Sequence, residues 1–314
     1  MDRVGAAMPP GEFVRVVVEV FQEVWYKPEA TMRSRFRQSR SYRDFVGLLA
    51  AVPLAEGARI LALGCGAGYG GRGSGFAAEV VEACVRERRH LTVDRMEITP
   101  RILESPAAEA GTGGRYSLVV THSTLRYIFD YRPLCRLLDS LVEPGGRYLM
   151  ANEPNARFWK NPVCLDAVRL KESEERRRKH VARLIDPQRY WNKALRLMHL
   201  EREPSPFARV NRILRGRLGL SGDLTPAEIQ HINEPHLPDA SPDGLRLGSN
   251  GLDWERLQEF FPALRLDLVR TSGYVARDNP HRLSREWRVA DRALALRYPL
   301  DGCSFGALWR KPGA

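Results

Sequence analysis

One stretch constrains the fold more than any other: ARILALGCGAGYGG, residues 58–71. A short apolar run ending in glycines is the pattern of a buried strand that feeds a turn. Glycines at that point let the backbone approach a ligand closely, and the N-terminus of a following helix offers unpaired N–H groups. The segments that follow keep the same rhythm. GFAAEVVEACVRERR (75–89) reads as a helix, HLTVD (90–94) as a strand and YSLVVTHS (116–123) as a second buried strand. YRPLCRLLDSLV (131–142) reads as a helix, and Pro144-Gly145-Gly146 turns the chain into RYLMANE (147–153). Strands alternating with helices require crossover connections and a parallel sheet, so the fold class is α/β.

Around this segment the pattern differs. Residues 11–26 and 41–53 place apolar side chains at three-to-four spacing and predict two N-terminal helices, joined by the arginine-rich TMRSRFRQSR (31–40). After Glu153 the alternation of strand and helix stops for about a hundred residues. Residues 162–184 predict a helix, with Glu172/Arg176, Glu174/Arg178 and Glu175/Lys179 spaced for i,i+4 pairing. Asp186-Pro187 opens another helix through Leu200, and the capping box from Thr225 to Glu228, with Pro226 at N1, starts a shorter one. Alternation resumes with DWERLQEFF (253–261), LRLDLVRTSGYV (264–275), a helix over 281–298 and the strand CSFGALWRK (303–311). These shifts divide the chain into an N-terminal helical lid (1–57), a core (58–155), a basic helical insertion (156–251) and a C-terminal completion of the core sheet (252–314).

Composition narrows the setting. Of the 49 basic residues only six are lysine, and the formal net charge of the 314-residue chain is +11. Residues 1–155 and 221–314 are close to neutral, at +2 and −1, while residues 156–220 carry +10. No apolar run reaches the ~18 residues of a membrane span. MDRVGAAMPPGEF (1–13) lacks the basic and apolar regions of a secretory signal. The five cysteines form no CxxC pair, which fits reduced thiols and a cytoplasmic setting better than a disulfide framework or a cysteine-built zinc site.

The glycine loop alone does not name its ligand. Read from Gly66 it satisfies GxGxxG through Gly71, the dinucleotide fingerprint. In the register next to the strand it is GxGxG, with Tyr69 in place of the third glycine. The downstream half discriminates between these readings. RYSLVVTHSTLRYIFDYRPLCRLLDSLVEPGGRYLMANEPN (115–155) resembles the fourth strand, helix and fifth strand of class I S-adenosylmethionine-dependent methyltransferases, and LGCGAG (63–68) resembles that family's first motif. The final helix and strand are similar to the family's terminal antiparallel strand.

The resemblance implies a doubly wound, mostly parallel seven-stranded sheet, with N-terminal helices and a helical insertion after the fifth strand. It implies S-adenosyl-L-methionine as cofactor, held by Gly64, Cys65, Gly66 and Gly68 under its methionine and ribose portions. Asp94 would accept hydrogen bonds from the ribose hydroxyls, which a carboxylate does well. Thr121, His122 and Ser123 would flank the methionine end. Two positions depart from the family pattern. Ala62 stands where an acid is usual, and only 21 residues separate Asp94 from Tyr116, which abbreviates the helix and third strand expected there. Glu97 and Glu104 are the acids available for the adenine.

Methyl transfer from a sulfonium depends on positioning, and a general base is needed only where the acceptor must lose a proton. His231 and His236 are the candidate catalytic bases, oriented by Asp239 or Glu234. The same histidines with an acid suit a divalent metal, or else they satisfy backbone groups of a capped loop; no metal is assigned. The implied function is transfer of a methyl group to an O or N atom of a small molecule, in bacterial specialised metabolism. The +10 segment points to an acidic or carrier-bound substrate. Arg176–Lys179 is interleaved with acids and no nucleic-acid-binding motif accompanies it, which argues against nucleic acid. An RNA methyltransferase using the insertion, or a related protein with a non-methylating activity, is the alternative. A homodimer is compatible with the sequence.

Overall fold

In the computed structural model the central parallel strands, those at 59–63 and 116–122, are buried on both faces, and side-chain alternation sorts their residues between two cores. The structure describes residues 40–64, 91–96, 115–127, 132–185, 205–233, 251–275 and 283–313, together with Val16, Val17, Val20, Val24 and Val81. Its elements are α1 (Arg40–Ala50), β1 (Arg59–Leu63), β2 (Thr92–Met96), β3 (Tyr116–His122), a 3-10 turn (Leu125–Tyr127), α2 (Arg132–Leu141) and β4 (Val142–Pro154). Then come α3 (Ala156–Lys160), α4 (Pro162–Ile185), α5 (Pro206–Leu218), α6 (Pro226–Asn233), α7 (Trp254–Glu259), β5 (Arg265–Ser272), α8 (Arg285–Arg297) and β6 (Ser304–Arg310).

The described strands form one sheet of six, in the order β2-β1-β3-β4-β6-β5. β2, β1, β3 and β4 are mutually parallel, and β6 runs antiparallel to both of its neighbours. Residues 97–114, where the expected third strand of a seven-stranded sheet falls, lie outside the described residues. Strand β2 ends at Met96, two residues later than HLTVD predicts. β4 carries Pro144-Gly145-Gly146 as a register shift against β3, between Val142 opposite Tyr116 and Arg147 opposite Leu118, and Gly145 at φ +80° donates to Lys311 O at 3.0 Å.

Each strand sends alternate residues to opposite faces. Ile60, Leu118, Val120, Leu149 and Leu308 pack under α1 with Phe45, Leu48 and Val52. Leu61, Val119, Tyr148, Met150 and Trp309 face α2 and α7 with Leu134, Leu138, Trp254 and Leu257. Tyr148 and Trp309 stack at 5.4 Å. Fully burying side chains of this size contributes roughly 1.5–3 kcal/mol each. Gly306 shows how closely α1 lies on β6: a Cβ there would stand 2.4 Å from Leu48 Cδ1.

Of the helices after β4, α4 and α6 begin where the sequence predicts, while α3 and α5 have no counterpart among the expected helices. Asn155 caps α3 by accepting from Arg157 N at 3.0 Å, and its Nδ2 donates to the Leu300 and Gly302 carbonyls, tying the exit of β4 to the entry of β6. The capping box of α6 is closed in both directions, Glu228 N to Thr225 Oγ1 at 3.2 Å and Thr225 N to Glu228 Oε2 at 2.7 Å. On α4, Glu174 meets Arg178 as its spacing predicts, while Glu175 pairs backward with Lys171 at 3.0 Å. The helix opened by Asp186 lies outside the described residues. No helix among the described residues is long and apolar enough to cross a membrane.

Candidate active site

The C-terminal ends of β1, β3 and β4 form one edge of the sheet. β1 lies between β2 and β3, so its neighbours are reached by crossovers in opposite directions, the place where open α/β sheets leave a crevice. Gly64 leaves β1 at φ +71°, a conformation that costs glycine nothing, and its N–H donates to Met96 O at 2.8 Å. The glycine loop therefore starts at this crevice with its first backbone unit pinned to the end of β2. Cys65, Gly66 and Gly68 lie outside the described residues.

Beside it, β3 and β4 end in polar residues held in unusual backbone conformations. Ser123 (φ 53°) and Asn152 (φ 57°) are the described non-glycine residues with positive φ. Short polar side chains tolerate this region by bonding locally. Here they bond to each other, Asn152 Nδ2 donating to Ser123 Oγ at 2.7 Å. Ser123 N also donates to Ala151 O at 2.9 Å.

Under this pair sits Glu153, fully buried. Its carboxylate accepts from Thr124 N at 2.6 Å, Leu125 N at 2.9 Å and Arg126 N at 3.2 Å, collecting the free amides that open the 3-10 turn. The Arg126 guanidinium approaches the same carboxylate at 3.5 Å and donates to Asn152 O. Burial pushes the Glu153 carboxyl above its ordinary range, against the pull of Arg126 and the three amides. Thr124, Arg126, Asn152 and Glu153 thus close the β3–β4 end of the edge into one network, which fixes the positions of His122 and Ser123.

The side chains predicted for this site divide. His122 points to the α1 face, in edge contact with Phe45 at 5.4 Å, and its Nδ1 lies 3.2 Å from Ser123 Oγ. Burial, with the positive charge of Arg126 adding to it, pushes the imidazole down to about 3, so the ring is neutral at any physiological pH. Thr121 turns the other way, fully buried, with its hydroxyl 2.8 Å from Tyr148 OH. Its side chain belongs to the α2 core.

Asp94 does not end its strand. It stands in the middle of β2, paired in register with Leu61, and its carboxylate accepts from Arg59 Nη2 at 2.9 Å. The Tyr116 phenol lies beside the same pair and is raised by burial and then by Asp94. Arg59 and Tyr116 are the first residues of β1 and β3, so Asp94 reaches toward the opposite edge from Gly64. The next acid in the sequence, Glu97, follows Met96 and lies outside the described residues. His231 lies in α6, but its side chain and residues 234–250, which include His236 and Asp239, lie outside the described residues.

Sequence reasoning missed Glu153, Arg126 and Asn152. The available signal was the polar run Asn152-Glu153 closing an apolar strand, matched by His122-Ser123-Thr124 closing its neighbour.

No protein-family model matches the chain, and no curated protein matches it in sequence. Solved structures do resemble it. One is a chain from the complex between the Haloferax volcanii Trm112 methyltransferase activator and a methyltransferase, at 11% identity and TM-score 0.41, covering 95% of this chain and 98% of that one. Haemonchus contortus phosphoethanolamine N-methyltransferase 2 in complex with S-adenosyl-L-methionine gives 10% and 0.38, covering 95% of this chain and 57% of that one. N-methyltransferase NodS from Bradyrhizobium japonicum in complex with S-adenosyl-L-homocysteine gives 11% and 0.38, with 94% and 98% covered. The fold itself is defined by the strand order, the antiparallel β6 and the two-faced core.

Proposed function

We propose that the chain is an S-adenosylmethionine-dependent methyltransferase that methylates an O or N atom of a small molecule. The observation that carries this reading is Gly64. It is left-handed, bonded to the end of β2, and opens the LGCGAG-type loop at the crevice beside β1. The residues fit the cofactor unevenly. The loop glycines Gly64, Gly66 and Gly68, with Cys65, would hold its methionine and ribose portions through their backbone. Glu97, the acid next in sequence after β2, would accept the ribose hydroxyls in place of Asp94, whose carboxylate is engaged by Arg59.

When bound, the cofactor supplies a methyl group on a sulfonium sulfur, which leaves as the neutral thioether of S-adenosylhomocysteine. His122, held neutral, places no repelling charge near that sulfonium and can orient it or the acceptor through Ser123. A pKa of about 3 makes His122 a poor proton acceptor. Any base needed for an acidic O–H or N–H acceptor is supplied by His231 or His236.

Calorimetry with S-adenosylmethionine and S-adenosylhomocysteine tests this. The wild type is expected to bind both, and Gly64→Val to bind neither. Glu97→Gln should weaken binding by about 10- to 100-fold, the loss of charge-assisted hydrogen bonds. Asp94→Asn should leave binding within about twofold, a difference worth only ~0.4 kcal/mol. Failure of the wild type to bind either compound rejects the proposal; loss of binding in Asp94→Asn restores Asp94 to the ribose.

A further inference from the structure

A second surface stands at the same edge of the sheet. α8 lies in the connection from β5 to β6, and its Asp291 fastens it there. That buried carboxylate accepts from Tyr274 N at 2.9 Å and Val275 N at 2.8 Å, just past the end of β5, and pairs with Arg40 of α1 at 2.7 Å. The inward side of α8 is fully engaged. Trp287 Nε1 donates to Glu174 of α4 at 2.6 Å, and Leu294, Ala295 and Tyr298 pack against the cluster of Phe158, Cys164 and Tyr274.

The outward side is different. Val289 is 61% exposed and Leu296 86% exposed, with Ala293 exposed between them. Steps of four and three residues place these on one stripe, the spacing with which a helix receives another helix. Arg285, Arg288 and Arg292 are exposed and fall within about 100° of the same direction at 3.6 residues per turn. One acid shares this side: Glu286 is exposed and falls about 20° from Ala293 at 3.6 residues per turn, with its carboxyl held below the usual range by Ser284 and its own backbone amide, then by Arg178 and Arg288.

We propose that this face of α8 docks an acidic amphipathic helix of a partner protein. Guanidinium groups recognise carboxylates in a fixed, bidentate geometry, and the Val289–Ala293–Leu296 stripe gives an apolar ridge on the partner a place to pack. The alternatives fit the face less well. A second copy of this chain would set three arginines and a single glutamate against the same set, with the arginines left in excess. Nucleic acid phosphates would gain nothing from Val289 and Leu296. A lipid-inserting helix carries aromatic or leucine-rich bulk on its buried side, whereas Trp287 and Tyr298 here are turned inward. Combined with the function proposed above, on which this step rests, the docked protein is the carrier that presents the methyl acceptor to the neighbouring Gly64–His122 edge.

The test uses the full chain and a fluorescein-labelled peptide of acidic heptads, with leucine at the two apolar positions and glutamate beside them. Its partner is an isomer of identical composition with the leucines redistributed. Fluorescence anisotropy without cofactor is expected to show saturable binding of the first peptide and about tenfold weaker binding of the isomer. The triple variant Arg285→Glu, Arg288→Glu, Arg292→Glu should weaken binding at least about tenfold, and Leu296→Ser, which leaves every charge in place, about threefold or more. Each substituted side chain is exposed, and unchanged melting of both variants confirms that folding is intact. Equal binding of the two peptides, or binding unaltered by the triple variant, overturns the proposal. So does sedimentation with phosphatidylglycerol vesicles that the triple variant abolishes while the peptide fails to bind, which assigns the face to lipid. Because the peptide is measured without S-adenosylmethionine, failure of the methyltransferase reading shows in the calorimetry and not here.

Discussion

The two ends of the parallel sheet each carry a carboxylate paired with an arginine, and they are built on opposite terms. At the starting end, Asp94 meets Arg59 with more than a third of each side chain open to water. At the finishing end, Glu153 meets Arg126 with none of its own surface exposed, and takes three backbone amides besides. Water can replace either partner of the first pair at little cost. It cannot reach the second, so removing one partner there strands a buried charge and several donors. Of two similar ion pairs in one sheet, the buried one holds structure in place, and it lies at the edge where Gly64 opens the glycine loop.

The largest expected effect follows directly. Glu153→Ala should destabilise the fold by about 3–5 kcal/mol, the usual cost of breaking a buried pair, seen as a lowered urea midpoint. Glu153→Gln keeps some acceptor capacity and should fall in between. Asp291→Ala should come next, at about 2–4 kcal/mol, because it frees two buried amides and Arg40 together. A loss below 1 kcal/mol in either variant would break the contrast between the ends.

A pH experiment sharpens the same comparison. His122 in the folded chain is pushed down to about 3, while in the unfolded chain it titrates near its ordinary 6.5. Between those values the unfolded state binds the extra proton, so this contribution is full above pH 6.5 and is lost as the pH falls toward 3. The slope is about 1.4 kcal/mol per pH unit for one such group. Urea midpoints at pH 7 and pH 5 should therefore differ by less in His122→Asn than in the wild type; equal differences would show that His122 is not the group responsible. The smallest effect belongs to the exposed pair. Asp94→Ala should leave the melting temperature unchanged, and a clear fall would show that the starting end bears more than its exposure suggests.

What the sequence disclosed, and what it did not, divides along similar lines. β1, β3, α2 and the α6 capping box were readable because their signals are local: apolar runs, three-to-four spacing, and Thr225 three residues before Glu228. The end of β2 is not, since TVDRM has no apolar alternation to fix where the strand stops, and HLTVD places Asp94 at a strand end that the structure puts at Met96. Thr121 is expected beside the methionine end of the cofactor, but the face its side chain points to depends on Tyr148, 27 residues away. Glu153 was overlooked for the same reason. Its partners Thr124, Leu125 and Arg126 are 27 to 29 residues earlier, and only the pairing of β3 with β4 brings them together.

The placement of β6 has a consequence for how the chain assembles. It follows every other strand in the sequence, yet it lies inside the sheet, between β4 and β5, with Gly306 against Leu48 of α1. Until it arrives, β4 presents the bare edge of Tyr148, Leu149 and Met150 to any passing strand, and the floor under α1 lacks Leu308 and the close seat of Leu48 on Gly306. Early and late parts of the chain must therefore meet before either core closes, a high-separation contact of the kind that slows folding and exposes intermediates to aggregation. Shortening the chain by its last dozen residues would not trim an edge; it would remove an interior plank and leave β5 cut off from the four parallel strands.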